Sequence, residues 1–552
     1  MRVIKKRCIN GGLTAIFSAA CLLSLRLIGA EVAPELRRWD ERKAVEILVG
    51  LKEQPSPSAG SVGRRGHGPV IVRRMTVGEA LQLASDPAVE YIAPDREVAA
   101  STSVALSAVD APGFSWTGST PGAIWGGGIS VAVIDSGIND HPDLRDGSGR
   151  SRIVYQQSFV RDALSGKLLP ASDLFGHGTH VAGIIAGNAR MSSGVNSLRT
   201  LHGVAPGVSL VNLKVLDEHG RGKDSWVIEA IDQAIRLRDQ YRIRVINLSI
   251  GRPVWESYDK DLLCRAVAKA WNAGIAVIVA AGNYGELNPN GSGYGTIASP
   301  GNAPEVITVG SMRHVNTITR SDDSVAPYSS RGPSIIDRVL KPDLVAAGSQ
   351  VPSLRSVNSD LDQRGILQPL QVQDYSLVGS GTSDYYATLS GTSMSAAVVS
   401  GAVALMLSQN PDLDVETVKA RLMLTTTRDV ASKVYWTDPQ TGIVRVIPHN
   451  SFTMGAGYLN ITGALSSRFV SRQRYPSPLV AVDSQGRLVT VSDYTSGSVL
   501  WGNSTLWGDS TLWGDSTLWG DSTLWGDSTL SGNSQLSSDL QFGVSRRAEG
   551  RR

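Results

Sequence analysis

Cysteine is scarce in this sequence, with three residues among 552. Cys8 and Cys21 lie in the first thirty residues, and only Cys264 remains in the rest of the chain. One cysteine beyond residue 30 cannot form an intramolecular disulfide, so a disulfide-stabilised scaffold is excluded. Stability must come from a large core or from bound ions. Cys264 lies on a helical pattern over 261–273 and is predicted to be a small packed hydrophobe.

An excess of charge of one sign is also missing. The chain has 53 Lys and Arg residues against 50 Asp and Glu residues, a net charge of +3. Residues 1–103 hold 15 of the basic and 11 of the acidic residues, so the rest of the chain is close to neutral. Because the chain beyond residue 103 has no excess of basic residues to contact a phosphate backbone, nucleic acid is not expected as a partner.

Long hydrophobic runs are scarce, and the one near the start of the chain covers residues 13–28, which are mostly apolar and are interrupted by Arg26. A basic head, Lys5 to Arg7, precedes this run, and Gly29-Ala30 offers a small-residue cleavage site. The pattern predicts a secretion signal over residues 1–30, because the run is short for a membrane span. A single N-terminal anchor is the alternative. No other stretch is predicted to span a membrane.

Residues 31–103 predict a small α+β module. Strand patterns cover 44–52, 70–72 and 89–93, and residues 54–68 are rich in Pro, Gly and Ser. Thr76 and Glu79 have capping-box spacing, which predicts a short helix through Ala84. About seventy residues is near the lower limit for independent stability. The module carries no chemistry of its own, and a generic N-terminal domain is the simplest interpretation.

Residues 104–468 alternate strand-like and helical patterns. Wholly apolar runs indicate strands that are buried on both faces, which is typical of a parallel sheet covered by helices on each side. Helical stretches at 225–239 and 261–273 lie between these runs. The fold class is therefore α/β with a mostly parallel central sheet. The predicted strands are 129–134, 210–215, 245–249, 276–280 and 306–309.

Four polar residues lie at edges of this predicted sheet, where the chemistry of such folds is found. Asp135 ends the first strand, His177 begins a helix of small residues, and Asn283 follows a later strand. Ser393 lies at the start of a predicted helix, just before a run of small and apolar residues over 396–407. Taken singly, these residues are more often turn, cap or structural groups. Together they supply the parts of acyl transfer: Asp135 orients His177, His177 takes the proton of Ser393, and Asn283 helps to hold an oxyanion.

The segments IDSG (134–137), GHGTHVAG (176–183), AAGN (280–283) and SGTSMS (390–395) resemble the Asp, His, Asn and Ser boxes of subtilisin-type serine peptidases, the subtilases, in the order of that family. The resemblance covers about residues 104–468. It implies a subtilisin-like three-layer α/β sandwich and a secreted serine endopeptidase that acts on proteins and peptides without a catalytic cofactor. Where the family has Ala, Pro and His after the serine, this chain has Ser395, Ala397 and Val398.

The resemblance also implies further sites. Residues 31–103 are similar to the inhibitory propeptide, whose tail fills the cleft until self-cleavage around residues 99–107. Ser249, Ile250 and Gly251 match the edge that pairs with an extended substrate. Ala280, Ala281 and Gly282 match an uncharged wall of the first specificity pocket, which favours an apolar side chain before the cut bond.

A structural calcium ion is one alternative that the resemblance leaves open. Asp143 matches a calcium ligand of the family. A single carboxylate does not make a site for an ion that takes six to eight oxygens. No metal ligand set is therefore assigned from the sequence.

Residues 469–552 form a predicted tail with a six-residue repeat over 501–536, mostly WGDSTL. Such a short repeat is a poor core, so a disordered or weakly ordered tail is expected, with a small β-solenoid turn and an adhesive surface segment as alternatives. Our hypothesis is that the tail tethers the enzyme to cell-surface polymer or to itself. Two rival functions remain for the whole chain: a binding scaffold with an idle triad, and an acyl transferase that joins peptides.

Overall fold

The structure is a computed structural model that describes residues 30–53, 68–100, 126–162, 164–285, 293–314, 320–437, 442, 444–482 and 488–491. The predicted signal and the hexapeptide repeats lie outside the described residues, apart from Ala30. The chain divides into two compact units, Met1–Asp95 and Arg96–Arg552.

The first unit has a small α+β architecture. Its sheet has the order β1-β4-β2-β3, in which only the β1–β4 pair is parallel. Thr76 caps the helix by accepting from the Glu79 N–H, and the Glu79 carboxylate accepts from the Thr76 N–H in return. The core contains Ile47, Val49 and Val77, all fully buried. The elements are β1 (Glu31–Val32), β2 (Ala44–Leu51), β3 (Val70–Thr76), α1 (Val77–Leu83) and β4 (Val89–Pro94).

The second unit begins with strands and helices that alternate in the predicted manner. They are β5 (Glu97–Ala100), β6 (Ser130–Asp135), β7 (Ile153–Ser158), α2 (His177–Ala186), β8 (Ser209–Lys214), β9 (Arg221–Lys223), α3 (Asp224–Leu237), β10 (Ile243–Leu248), β11 (Ile250–Gly251), α4 (Leu262–Asn272), β12 (Ala276–Ala280) and β13 (Ile307–Arg313).

The later part of this unit has shorter elements. They are β14 (Ser324–Val325), β15 (Leu344–Ala347), β16 (Val351–Leu354), α5 (Asp360–Gln363), β17 (Gln368–Gln371), β18 (Thr382–Leu389), α6 (Thr392–Gln409), α7 (Val415–Leu424), β19 (Lys433–Thr437), β20 (Val444–Pro448), α8 (Ser451–Met454), α9 (Ile461–Ser466), β21 (Leu479–Val482) and β22 (Leu488–Val491).

The central sheet has eight strands in the order β14-β13-β12-β10-β6-β8-β7, with β15 also beside β13. All pairs except β13–β14 are parallel. The five predicted strands are β6, β8, β10, β12 and β13, and each is buried along most of its length. The prediction of a mostly parallel α/β sheet is confirmed.

Helices cover the sheet and position the candidate residues. α2 and α6 pack against each other and against the central strands, and α3 and α4 form another packed pair on the sheet. α6 is long and apolar enough to cross a membrane by composition, but 89% of its 18-residue window is buried inside the protein. It is therefore a core helix, and its first turn carries Ser393.

The second unit also contains a smaller sheet of three strands, in the order β11-β5-β9. β5 pairs antiparallel with β11 on one side and with β9 on the other. The strand over residues 97–100 is thus held between the Ile250–Gly251 edge and the Arg221–Lys223 edge.

Candidate active site

Asp135 and His177 are brought together although they lie 42 positions apart. Asp135 is the last residue of β6, and its Oδ1 lies 2.7 Å from His177 Nδ1. The same oxygen accepts from the Ser136 N–H at 2.7 Å. Both side chains have no exposed surface. The carboxylate therefore fixes the imidazole in one orientation inside a water-poor site.

The position of His177 depends on how α2 begins. The Asp173 carboxylate accepts from the Gly176 and Thr179 N–H groups and from the Ser136 hydroxyl. It thereby satisfies donors that the first turn of a helix leaves unpaired. Gly178 is required here, because a Cβ would lie 2.2 Å from the Gly137 carbonyl oxygen.

The hydrogen bond to Asp135 assigns the tautomer of His177. An Nδ1–H that donates to the carboxylate leaves Nε2 as the basic nitrogen. Nε2 is buried and has no hydrogen-bond partner among the described residues. A buried, unpartnered basic nitrogen is suited to receive a proton.

Ser393 is the second residue of α6 and is fully buried. Its hydroxyl donates to the Ser249 carbonyl at 3.0 Å, and the Ser249 hydroxyl donates to the Ser393 carbonyl at 3.0 Å. Asn247 donates its side-chain N–H to the Ser249 hydroxyl, and Ser400 donates to Asn247. The Ser393 hydroxyl thus bonds to main chain, and the structure shows no hydrogen bond from it to His177 Nε2.

Asn283 follows β12 and faces the start of α6. Its side-chain oxygen accepts from the Thr392 N–H and hydroxyl, both at 3.0 Å. Since the oxygen is held on this side, the amide nitrogen is directed away from Thr392. The Gly282 N–H donates to the same Thr392 hydroxyl. Asn283 is therefore oriented by the residue that directly precedes Ser393.

The other predicted substrate residues lie on two neighbouring segments. Ile250 and Gly251 form β11, opposite Ala100 and Ala99 of β5. Ser249 belongs to the contact with Ser393 as well as to this edge. Ala280 ends the apolar strand β12, Ala281 and Gly282 follow it, and all three residues are buried. Gly282 has φ +105°, and a Cβ there would lie 2.8 Å from the Ser330 hydroxyl.

The surroundings of Asp143 do not fit a calcium ion. Its two carboxylate oxygens accept from the Met191 N–H at 2.9 Å and from the Tyr386 hydroxyl at 2.6 Å. Its carbonyl oxygen accepts from the Asn188 N–H and from the Arg152 guanidinium. Donor hydrogens and a cationic side chain occupy the oxygens that a cation would need. In the part of the chain that the structure describes, no group of three or more His, Cys, Asp or Glu residues could hold a metal.

Sequence reasoning missed the residues that hold the candidate groups in place. Asp173, Thr392 and the side chain of Ser249 all bond to the motifs or to the nucleophile candidate. Thr392 and Ser249 lie within motifs that the sequence singles out, so a polar side chain there was a usable signal. Asp173 is an isolated aspartate in a loop, and no pattern marks it.

Comparison with known proteins gives one family. The model of the subtilase family matches residues 126–457, which contain all four candidate residues. "Serine protease AprX" of Bacillus subtilis (strain 168) is 39% identical over 333 residues, covering 59% of this chain and 67% of that protein. "Subtilisin E" of the same strain is 31% identical over 387 residues, covering 69% of this chain and 77% of that protein. "Subtilisin" of Bacillus pumilus is 32% identical over 323 residues, covering 58% of this chain and 90% of that protein.

Proposed function

Because the chain belongs to the subtilase family and is a serine endopeptidase, we propose that Asp135, His177 and Ser393 form its catalytic triad. The observation that supports this most directly is the 2.7 Å contact between His177 Nδ1 and Asp135 Oδ1 in a fully buried site. The bond that the mechanism needs between His177 and Ser393 forms when the serine hydroxyl turns, and such bonds are often long in substrate-free enzymes.

The proposed chemistry is acyl transfer to serine and then to water. His177 Nε2 takes the hydroxyl proton as Ser393 Oγ attacks the carbonyl carbon, and Asp135 stabilises the imidazolium that forms. His177 then gives this proton to the leaving amine, and the acyl-enzyme remains. A water molecule loses a proton to His177, attacks the ester and releases the acid, which restores the serine. No cofactor takes part in these steps.

Asn283 and the Ser393 N–H are proposed to stabilise the oxyanion of each tetrahedral intermediate. The side-chain oxygen of Asn283 is already held by Thr392, so its N–H₂ group is aimed before charge develops. A donor that is fixed in advance requires little reorganisation in the transition state.

Residues 31–103 are proposed to be an inhibitory propeptide, and its last strand is proposed to occupy the substrate cleft. β5 pairs with the Ile250–Gly251 edge as an added strand, and main-chain bonds of this kind are how extended peptides bind. The Ala100 N–H also donates to the Gly220 carbonyl at 3.1 Å. The proposed self-cleavage lies around 99–107, and 101–107 falls outside the described residues.

The specificity pocket is proposed to prefer apolar side chains before the cut bond. Ala280, Ala281 and Gly282 would form an uncharged wall of this pocket. Mass spectrometry of a digested protein mixture measures the preference, and frequent cutting after acidic or basic residues would contradict it.

Residues 1–30 are proposed to direct secretion, and the tail over 469–552 to retain the enzyme at the cell surface or to associate with itself. The support is compositional: a basic head before an apolar run, and a repeated hexapeptide. Removing residues 500–552 tests the tail, and unchanged surface retention would contradict its role.

The variant Ser393→Ala tests the proposed triad and the proposed self-cleavage of the propeptide together. We expect peptide hydrolysis to fall by about 10⁶-fold, the loss that removal of the nucleophile causes in subtilisin. N-terminal sequencing of the secreted product should find the propeptide still attached in Ser393→Ala and removed in the wild type.

The matched control is Ser395→Ala, because Ser395 is a buried serine two residues further along α6 that bonds to the Ala346 carbonyl. It should keep activity and processing. Failure of the mature protein to react with a serine-directed phosphonate would favour an idle scaffold. Ligated products with an added amine acceptor would favour an acyl transferase.

A further inference from the structure

A buried ion pair lies just before the strand that is proposed to fill the cleft. Arg96 Nη1 lies 2.5 Å from Glu256 Oε1, and Nη2 lies 2.7 Å from Oε2. Only 8% of the Arg96 side chain and 5% of the Glu256 side chain are exposed. Two parallel bonds of this kind match the planar fork of a guanidinium and make a geometrically specific contact.

Backbone hydrogen bonds hold Arg96 in line with the strand that follows it. The Arg96 carbonyl accepts from the Asp224 N–H at 2.9 Å, and residues 97–99 then pair with β9. Burial alternates along this segment: Arg96 and Val98 are buried, and Glu97 between them is exposed. Side chains two apart in an extended chain share a face, so Arg96 is presented on the face that carries Val98.

Two further buried carboxylates, Asp224 and Asp261, lie within reach of the positive charge of Arg96. Both bond to the buried guanidinium of Arg252. Burial raises the pKa of Asp224 to about 6, and the positive charges of Arg252 and Arg96 oppose that rise.

The charge balance around these carboxylates depends on Arg96. When the strand departs, Glu256 loses both hydrogen bonds to the Arg96 guanidinium, and Asp224 and Asp261 lose the effect of its positive charge. A buried carboxylate that loses a cationic partner is costly, so the vacated position favours a new cation.

We propose that Glu256 is a specificity-determining residue that selects arginine in the peptide substrate, two positions before the side chain that takes the place of Val98. This inference rests on the proposed function, because it takes β5 as a guide to how substrates lie. Lysine is a poorer ligand, because an ammonium cannot make the paired bonds of a guanidinium.

The test uses the mature wild-type enzyme and a peptide with the sequence of residues 94–105. In a second peptide citrulline replaces Arg96, which keeps the shape and removes the charge. We expect kcat/KM to fall by about 10- to 100-fold with citrulline, the range for a lost charge-assisted contact. A third peptide exchanges Arg96 and Glu97, which moves the arginine to the opposite face, and it should be cut as slowly as the second.

Glu256→Gln completes the cycle. It should lower kcat/KM for the arginine peptide to the level of the citrulline peptide and leave the citrulline peptide unchanged. Asp259→Asn is the matched control, because it removes an exposed carboxylate of the same loop, and it should retain the arginine preference.

The outcomes separate this inference from the proposed function. Equal rates on the first two peptides, with casein still digested, would overturn the role of Glu256 and leave the peptidase intact. An arginine preference that survives in Glu256→Gln would also overturn it. Cleavage of neither the peptides nor casein would overturn the proposed function itself. If Glu256→Gln does not mature, the wild-type comparison of the three peptides still decides the preference.

Discussion

At the scale of single residues, two histidines on α2 differ in what they contact. His177 faces Asp135, whereas the Nε2–H of His180 donates to the Ala387 carbonyl at 3.2 Å. His180 is fully buried. Burial lowers the pKa of His180 to about 3, and the nearby charge of His177 acts in the same direction. His180 is therefore neutral in the folded protein at pH values well above 3.

This neutral histidine predicts an acid-sensitive stability. Between pH 6.5 and about 3 the unfolded chain binds a proton at residue 180 that the folded chain does not, so stability falls as the pH falls through this window. The slope from one proton is at most about 1.4 kcal/mol per pH unit. Denaturant unfolding of the Ser393→Ala chain at several pH values measures it without self-digestion.

His180→Gln is the variant that isolates this contribution, because glutamine keeps an N–H donor and does not titrate. Its free energy of unfolding should depend less steeply on pH below 6.5 than that of the parent. Parallel curves for the two proteins would show that residue 180 does not take up a proton on unfolding.

The four candidate residues are marked in the sequence because each lies in a local motif at the end of a strand or the start of a helix. Of the groups that hold these motifs in place, Thr392 and Ser249 lie within motifs, whereas no sequence pattern marks Asp173. Other contacts join residues that are still further apart. Tyr386 lies 243 positions from the Asp143 carboxylate that it contacts, and Glu256 lies 160 positions from Arg96. Such partners become apparent only when the sheet brings distant loops together.

At the scale of elements, a buried polar clamp joins β18 to two short 3₁₀ turns, Pro142–Leu144 and Arg190–Ser192. The Tyr386 hydroxyl donates to the Asp143 carboxylate and lies 3.0 Å from the Ser192 hydroxyl. Arg152 donates to the Asp143, Ala186 and Val208 carbonyls. Hydrogen-bond donors of the protein thus bind the oxygens of Asp143, at the position where the family resemblance suggested calcium.

From this clamp we predict that the protein is stable without a metal ion bound at Asp143. Tyr386→Phe leaves a buried carboxylate oxygen without its donor and should cost about 1–3 kcal/mol of unfolding free energy. Added calcium should not restore it. Thermal unfolding with EDTA and with calcium measures both effects.

Tyr385→Phe removes the same atom from the neighbouring residue, which is less buried than Tyr386, and it should cost less. Recovery of Tyr386→Phe by calcium to the stability of the wild type would show instead that the Asp143 oxygens accept a cation.

Element boundaries followed the sequence wherever burial was uniform. The predicted bounds of β6, β8, β10 and β12 lie within two residues of those observed, whereas β13 was predicted as 306–309 and extends to Arg313. The central-sheet strands β7, β14 and β15 were not predicted. β3 was predicted as 70–72 but extends to Thr76, because Arg73 and Arg74 are exposed on an edge strand and interrupt the apolar pattern. β16, β17 and β18 were not predicted, since their alternating or mixed patterns resemble loops.

At the scale of the whole molecule, the folded unit extends beyond the region that the family model matches. That region ends at residue 457, yet residues 469–482 pack on the same unit. Tyr475 and Val480 are buried, and the Ser477 hydroxyl donates to the Asp343 carboxylate at 2.6 Å. The fully buried ammonium groups of Lys341 and Lys419 face that same carboxylate.

These contacts predict that two truncations will differ. A chain that ends after Ser467 loses the buried side chains of Tyr475 and Val480. At about 1.5–3 kcal/mol for each large side chain, the free energy of unfolding should fall by roughly 3–6 kcal/mol. It also loses the Ser477 donor to Asp343. A chain that ends after Val499 keeps all of these contacts and lacks the repeats. Thermal unfolding in the Ser393→Ala background should therefore show a lower midpoint only for the shorter chain. Equal midpoints would mean that residues 469–482 dock without stabilising the catalytic unit, and a lower midpoint for both would assign a structural role to the repeats.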